Sequence, residues 1–306
     1  MKSSALIRII LWSIVAIVLI GALVTFIQGG IPLPDLFNFR GGTYENGERY
    51  TAGPGSVSAE NVNKIEVNWV SGSVNVSVYD GKEITFSETS ADNLDVKEQM
   101  HYYLNNGNLI IQFCESGAFF GWFNAMSDKE LDIKIPQDFV LEEFKLNSTS
   151  AGITIDGVES ASLVVENISG GVKVTNSQTD KLKVTSVSGR ILAEGVKVQD
   201  LAATSVSGSI NVSGSINSAD LDNTSGSIVI DPGADAQNIK AGTVSGKISV
   251  KLPENNGFTA NYSTVSGNFT CGFSTTAGSK NSVTYKNGSM DIKLNTVSGS
   301  IAIVKE

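Results

Sequence analysis

The chain starts with a long apolar run and then changes to short stretches in which apolar and polar residues alternate. Residues 9–27 are nineteen uncharged residues, mostly Ile, Val, Leu and Ala. As a helix with a rise of about 1.5 Å per residue, this run spans roughly 28 Å, close to the hydrocarbon thickness of a bilayer. Secretory signal peptides usually have shorter apolar cores. The run therefore predicts a transmembrane anchor, with a cleaved signal peptide as the alternative.

The charges around this run predict its orientation. Lys2 and Arg8 precede it, and the next basic residue is Arg40. Basic residues are retained on the cytoplasmic side of a membrane helix. We therefore expect residues 1–8 in the cytoplasm, one membrane span, and an extracytoplasmic position for everything that follows it.

Two segments separate the predicted anchor from the regular repeats. Residues 28–60 contain clustered Gly and Pro residues, which are typical of a linker. Residues 61–146 contain strand-like stretches at irregular intervals, among them Ile65–Trp69 and Leu131–Pro136. We expect interrupted turns that continue into the repeats, and a separate small domain is the alternative.

A seven-residue motif recurs through the rest of the chain. It reads Val-Ser-Gly-x-Ile-x-Val, and its glycines are 18 to 21 residues apart from Gly170 to Gly267 and then 32 residues apart to Gly299. An imperfect copy places Gly152 18 residues before Gly170. Apolar and polar residues alternate on both sides of each glycine, which is the period of a β-strand. The glycine permits a backbone corner that a Cβ atom would resist.

Repetition at a nearly constant phase predicts an all-β fold. Residues 147–306 are expected to form a β-solenoid, a single-stranded β-helix with about 19 residues per coil, in which each repeat stacks on the one before it. Apolar layers should fill the interior. A column of Asn, Ser and Thr, two residues before each repeat serine, should hydrogen-bond along the stack. The longest interval predicts an insertion with a hairpin around Asn287-Gly288.

The same alternation predicts the direction of individual side chains. Those expected to face inward are Val184, Val206, Ile210 and Ile248. Asn211 and Ser249 are expected to face solvent. Cys271 falls at an inward position and is expected to be a small core residue, while its pairing with Cys114 stays open because distance decides it.

The anchor and the repeats together resemble a bacterial family of putative adhesins, which includes the LiaG-like membrane-anchored proteins. The resemblance covers nearly the whole chain. It rests on the apolar segment, the strand Trp69–Val74, the strand Leu131–Pro136 and the serial Ser-Gly-x-Ile copies. It implies a β-solenoid at the cell envelope, associated in some members with envelope-stress systems, and it implies no catalytic residue.

The composition narrows the class of function. The net charge is −9, and no basic cluster interrupts the sequence. A nucleic-acid-binding protein needs a basic stripe to meet phosphates, so we expect no nucleic-acid partner. An acidic surface also suits a domain that does not adhere to anionic membranes or wall polymers.

The residues offer little catalytic chemistry. His101 is the one histidine, no HExxH or GxSxG pattern accompanies it, and a partly exposed strand position is expected. Asp231 and Asp235 supply too few oxygens for calcium. Four carboxylates recur near the repeat period: Asp180, Asp200, Asp220 and Asp222. They are expected either to form a column, as in β-helix enzymes that cleave polysaccharides, or to lie in the turns between coils. We predict no catalytic, cofactor-binding or metal-binding residue.

An aromatic segment is the most unusual local feature. Its four aromatic residues are Phe119, Phe120, Trp122 and Phe123. They are expected to form an interaction patch for a glycan, a protein or the membrane interface, or else a lid over one open end of the solenoid.

These expectations favour a non-enzymatic, membrane-anchored envelope protein. The solenoid would present a surface for binding or assembly, as an adhesin or a stress-associated scaffold. The membrane would be contacted through the N-terminal helix, and an envelope protein or glycan would be the partner. A polysaccharide-active β-helix enzyme and a polymerising membrane-tethered scaffold are the alternatives.

Overall fold

The computed structural model describes residues 44–118, 129–279 and 281–306. The predicted anchor lies outside these ranges, and none of the helices within them is long or apolar enough to cross a membrane. Those helices are two 3-10 turns, Gly47–Arg49 and Ala59–Asn61. Everything else of regular structure in the described ranges is β-strand.

The strands are short at the two ends of the molecule and longest in its middle. The first eight are β1 Thr51–Ala52, β2 Gly55–Ser58, β3 Lys64–Trp69, β4 Gly72–Tyr79, β5 Glu83–Ser90, β6 His101–Asn105, β7 Asn108–Gln112 and β8 Lys129–Pro136. The next eight are β9 Val140–Ser148, β10 Gly152–Asp156, β11 Glu159–Ser169, β12 Val172–Thr175, β13 Gln178–Ser188, β14 Ile191–Ser207, β15 Ile210–Ser225 and β16 Ile228–Asp231. The last eight are β17 Asn238–Ser245, β18 Ile248–Leu252, β19 Gly257–Ser266, β20 Phe269–Cys271, β21 Ala277–Ser279, β22 Ser282–Lys286, β23 Met290–Ser298 and β24 Ile301–Lys305.

The strands form two ladders of parallel pairs that enclose one core. The first ladder runs in the order β7, β3, β9, β11, β13, β14, β15, β17, β23, β19. The second runs in the order β8, β4, β10, β12, β14, β15, β16, β18, β24, β20. Each coil contributes one strand segment to each ladder. Strands β14 and β15 appear in both ladders because each continues from the second ladder of one coil into the first ladder of the next. The prediction of an all-β, solenoid-like fold is therefore confirmed for the described residues.

Alternation within each strand gives the core its layers. Val184, Ile210 and Ile248 are buried as predicted. Val206 is only half-buried, so its predicted inward direction is wrong: Ser205 before it takes the inward position, and a strand cannot turn two successive side chains to one side. Ser249 is buried although it was expected in solvent, because this small outward residue lies between Val229 and Ala302 of the adjacent coils.

The imperfect repeat has a different phase from the one predicted. Gly152 pairs with Ser73 and precedes Ile153, which pairs with Val172. Ala151 therefore occupies the corner, one residue earlier than expected. This position restores the spacing of 19 residues to the corner glycine of the next coil, Gly170.

The coil order departs from the chain order at both ends. The β3–β4 coil lies between the β7–β8 coil and the β9–β10 coil. The β23–β24 coil lies between the β17–β18 coil and the β19–β20 coil. The expectation that each repeat stacks on the one before it is therefore wrong at the two ends. At one end, the β9–β10 coil pairs with the β3–β4 coil and not with the β7–β8 coil directly before it in the chain. At the other end, the β23–β24 coil pairs with the earlier β17–β18 coil.

Antiparallel strands cover most outer edges of the terminal coils. At one end, β6 and β1 extend the first ladder while β5 and β2 extend the second. At the other end, β22 pairs with β19, and β21 pairs with β22. The predicted insertion thus contains a hairpin, but the hairpin is formed by β21 and β22. Asn287 and Gly288 instead lie in the connection to β23.

Stacked corner glycines hold the coils at a constant phase. A Cβ atom on Gly208, whose φ is +143°, would lie 2.1 Å from the carbonyl oxygen of Gly189 in the adjacent coil. The asparagine and threonine side chains of the buried polar column serve the same corner, because they donate to these carbonyls, whereas the hydroxyls of Ser186 and Ser205 have no hydrogen-bond partner among the described residues. Asn223 Nδ2 donates to the Gly208 oxygen at 2.7 Å, and Asn167 Nδ2 donates to the Ala151 oxygen at 3.0 Å.

Candidate functional site

A shallow groove of about 300 Å³ crosses four adjacent coils on the outer face of the second ladder. Strands β4, β10, β12 and β14 form it. Its floor is the backbone at Gly152 and Gly171, with the core residues Ile153 and Val172 beneath. The side chains that rise around the floor are those of Ser73, Asn75, Thr154, Lys173, Arg190 and Leu192.

The groove exists because two successive coils lack a side chain at one outward position. In register, this position holds Ser73 in β4, then Gly152, then Gly171, and then Arg190 in the next coil. With coils about 4.8 Å apart, two missing side chains leave a flat floor roughly 10 Å wide.

The backbone does not require glycine at either floor position. A Cβ atom on Gly152 would meet nothing within 4 Å, and one on Gly171 would meet only the Arg190 carbonyl oxygen, at 3.9 Å. Neither residue has a positive φ. Glycine inside a strand costs about 0.5–1 kcal/mol relative to alanine. A strand glycine without a backbone role is typical of a place where a ligand or another chain approaches closely.

Two basic side chains flank this floor. Lys173 and Arg190 are both exposed, and neither forms an ion pair within the described residues. The nearest acid with a shifted pKa is Asp156. Hydrogen bonds from Thr175 and Asn176 chiefly lower its pKa, and Lys173 contributes less. By contrast, Lys240 binds both oxygens of its acidic partner at 3.0 Å.

The remaining groove residues add neutral hydrogen-bonding groups and one apolar side. Ser73 and Thr154 supply hydroxyls, and Leu192 supplies an aliphatic surface. Asn75 is held in place because its Nδ2 donates to Glu130 Oε1 at 2.7 Å and Asp132 Oδ1 at 3.2 Å. The groove is therefore flat and polar, with Lys173 and Arg190 on one side and Glu130 and Asp132 beside Asn75 on the other.

The four repeating carboxylates form neither the column nor the turns considered from the sequence. All four lie inside strands of the first ladder, in β13, β14 and β15. Asp200 pairs with Lys181, Asp220 with Ala202, and Asp222 with Thr204, so these three lie in three different columns. Asp180 precedes Lys181 and lies outside all three. Burial raises the pKa of Asp222, and the neighbouring Asp220 raises it further.

The other residues considered from the sequence have structural surroundings. His101 is buried rather than partly exposed, because β6 turns it inward, where its Nδ1 lies 2.9 Å from the Gln99 carbonyl oxygen. Cys114 and Cys271 are free and half-buried, and burial raises the pKa of the Cys114 thiol. Across the described ranges, no group of three or more His, Cys, Asp or Glu side chains could hold a metal ion.

The predicted aromatic patch cannot be compared with the groove. Phe119, Phe120, Trp122 and Phe123 lie outside the described residues. Their role stays a prediction.

A buried lysine was missed by the sequence reasoning. Lys129 is 1% exposed and occupies the corner position, opposite Gly72. Its Nζ lies 2.8 Å from Glu88 Oε2 and donates to the carbonyl oxygens of Glu98, at 2.7 Å, and of Phe113. Burial lowers the pKa of Lys129, and Glu88 opposes this effect. Alternation with Leu131 and Ile133 was the signal that could have revealed its inward direction.

The lysine also lies against two aromatic rings at this end of the core. Its Nζ is 5.0 Å from the ring centroid of Trp69 and 4.0 Å from that of Phe113. Glu88 in turn accepts the Met100 backbone N–H at 2.6 Å and lines an open cleft of about 370 Å³. Because all three ammonium protons have acceptors nearby, Lys129 acts as a structural cation.

Comparison with known proteins identifies the class of this fold. Residues 62–304 match the Toastrack DUF4097 family, so the chain belongs to that family. This match agrees with the resemblance to putative adhesins. No curated protein matches the chain in sequence.

Solved structures similar to the chain include proteins of three bacteria. A putative cell adhesion protein from Clostridium sporogenes is 14% identical, with a TM-score of 0.28, and the match covers 83% of this chain and all of that one. A putative lipid binding protein from Parabacteroides distasonis is 19% identical, with a TM-score of 0.49 and coverages of 83% and 98%. A putative adhesin from Bacteroides fragilis is 11% identical, with a TM-score of 0.39 and coverages of 82% and 96%.

Proposed function

We propose that this chain is a non-enzymatic binding module of the cell envelope, whose groove binds an extended glycan that carries negative charge. The predicted helix at residues 9–27 would hold the module at the outer side of the membrane. The observation that carries the proposal is the pair of glycines at the start of β10 and directly before β12, Gly152 and Gly171, which the backbone does not require and which lie beside unpaired cations.

The chemistry of the groove matches such a ligand. A flat floor allows a sugar chain to approach the backbone closely, and the surrounding hydroxyls can exchange hydrogen bonds with its hydroxyls. Lys173 and Arg190 can meet a carboxylate or phosphate group, for which arginine offers a bidentate geometry. The dispersed carboxylates of the first ladder favour binding over cleavage, because glycan hydrolysis needs two acids at a defined separation.

The overall acidity of the protein sets the expected specificity. A net charge of −9 repels anionic polymers from most of the surface. Binding would therefore depend on the local charges of the groove, and would weaken as salt screens them. Neutral polymers would bind more weakly, because they make no ionic contact with the groove.

Calorimetry on the full chain in a mild detergent tests the proposal. Polygalacturonate is the anionic probe, and dextran is the neutral one. We expect binding of polygalacturonate that weakens at high salt, and loss of at least tenfold in affinity on changing Lys173 and Arg190 together to Gln. The matched control is Lys247→Gln, a cation in the same outward column but outside the groove, which should retain binding. Equal losses in both variants, or no binding of the anionic probe, would overturn the proposal.

The membrane part of the proposal has its own test. Protease treatment of intact protoplasts should remove the β-domain, because the flanking charges predict an external C-terminus. Full protection of the domain would contradict that topology without affecting the groove.

A further inference from the structure

A charge-free strip follows one corner of the solenoid. This corner strip consists of the residue two positions before each corner glycine and the serine directly before that glycine, in the seven coils with corners from Gly170 to Gly267. The serines align in register from coil to coil, as in the pairs of Ser188 with Ser207 and of Ser245 with Ser298. The residues of the first column are five valines, one isoleucine and one threonine.

The valines of the corner strip are unusually exposed. Val187, Val244, Val297 and Val265 are 39%, 47%, 51% and 82% exposed. Val244, Val297 and Val265 lie in three consecutive coils. The half-buried Val206 and Thr224 lie between Val187 and Val244, so the aliphatic groups of this column form an apolar ridge beside a row of serine hydroxyls. Scattered exposed valines are ordinary on a protein surface, whereas a contiguous apolar patch marks an interaction site.

The distribution of charge indicates what covers the corner strip. The strip contains no charged residue, while every outward column of both ladders carries at least one along the same coils. A charged partner would find no opposite charge there. Two copies of this chain, each with a net charge of −9, would repel one another least along this surface.

The corner strip can also be matched to a second copy of itself. Its column of valines and its column of smaller serine side chains lie side by side and share one repeat distance. A two-fold axis between two copies can place the ridge of each on the row of the other, over several coils at once. Such an isologous contact is the commonest way in which identical chains pair.

We propose that the corner strip is a homodimer interface, in which two solenoids pack side by side. Because the contact is uncharged, the dimer should persist at high salt, unlike glycan binding in the groove. Packing of ridge on row requires a two-fold axis parallel to the rods, so both rods point the same way and the central rung, Thr224-Ser225, lies next to the axis.

Sedimentation velocity of the full chain in a mild detergent tests the interface. The wild-type chain should sediment as a dimer at low and high salt. The paired changes Val206→Lys and Val244→Lys should give a monomer, because like charges then meet across the axis. The matched control, Asn211→Lys with Val229→Lys, adds the same charge to the outer face of the second ladder and should remain a dimer. Equal melting temperatures of the two variants would show that folding is intact.

Disulfide trapping gives an independent readout. In a chain with Cys114→Ser and Cys271→Ser, the change Ser225→Cys should give a cross-linked dimer on mild oxidation, and Ser213→Cys on the second ladder should not. A wild-type monomer, or a dimer that both lysine variants retain, would overturn the proposal. The second outcome would place the association elsewhere, for example in the N-terminal segment.

Discussion

Two sets of glycines in this molecule have opposite relations to the backbone. At the corners, Gly208 has a positive φ and lies against the carbonyl of the adjacent coil, so no other residue fits. In the groove, Gly152 and Gly171 have no positive φ, and there is open space where a side chain would be. The fold itself requires glycine at the corners. The second set destabilises the strands slightly, has no role in the backbone, and is consistent with the proposed ligand site.

Valine substitutions in the two sets should differ most. Gly208→Val forces a Cβ to within 2.1 Å of the Gly189 oxygen, in a region of φ that a branched residue resists. We expect a loss of about 4 kcal/mol or more in the free energy of unfolding, or no folded protein. Gly171→Val should lose nothing. Denaturation curves of the two variants make the comparison, and a similar loss in both would remove the distinction.

The corner at Lys129, like the one at Ala151, has no glycine, and Lys129 should also be costly to change. Lys129→Met leaves Glu88 buried without its partner, which is expected to cost about 3–5 kcal/mol. The additional change Glu88→Gln should recover part of that loss. Lys240→Met, which breaks a half-exposed pair with Asp220, is the control and should cost no more than about 1 kcal/mol. Equal effects at the two lysines would show that the buried pair is not needed.

The alternation between inward and outward residues predicts an intermediate effect. Ile210→Ala removes a fully buried side chain and should cost about 2–5 kcal/mol through lost burial and a cavity. Asn211→Ala, one residue further and partly exposed, should cost less than about 0.5 kcal/mol. Chemical denaturation distinguishes them. A larger loss at Asn211 would contradict the observed phase of β15.

Local patterns predicted the coil but not the way in which the ends are built. Alternation around each glycine depends on neighbours along the chain, and it correctly located Ile210 and Ile248. The phase of Ala151 depends on pairing with β4, which is about 80 residues away in sequence. The corners at Gly267 and Gly299 carry the same motif, so nothing local indicates which of the two coils is outermost.

The groove was invisible for a related reason. The position after the corner tolerates many residues, among them Ser73, Arg190 and Lys247, so two glycines there attract no notice in a repeat already rich in glycine. Only the register showed that Gly152 and Gly171 are adjacent and that Lys173 and Arg190 flank them. The floor glycines differ from the corner glycines in the space around them, which the sequence does not show.

Filling the groove should have the smallest effect on stability and a large effect on binding. Changing Gly152 and Gly171 together to Thr replaces two residues that disfavour strands with two that favour them, in open space. We expect a gain of about 1–2 kcal/mol in the free energy of unfolding. Affinity for polygalacturonate should nevertheless fall at least tenfold, because the side chains occupy the floor while Lys173 and Arg190 remain. Ser209→Thr, in the same outward column but two coils from Gly171, is the control for both measurements. A stabilised double variant that still binds the polymer would show that the glycines are dispensable, and that the ligand does not approach the backbone there.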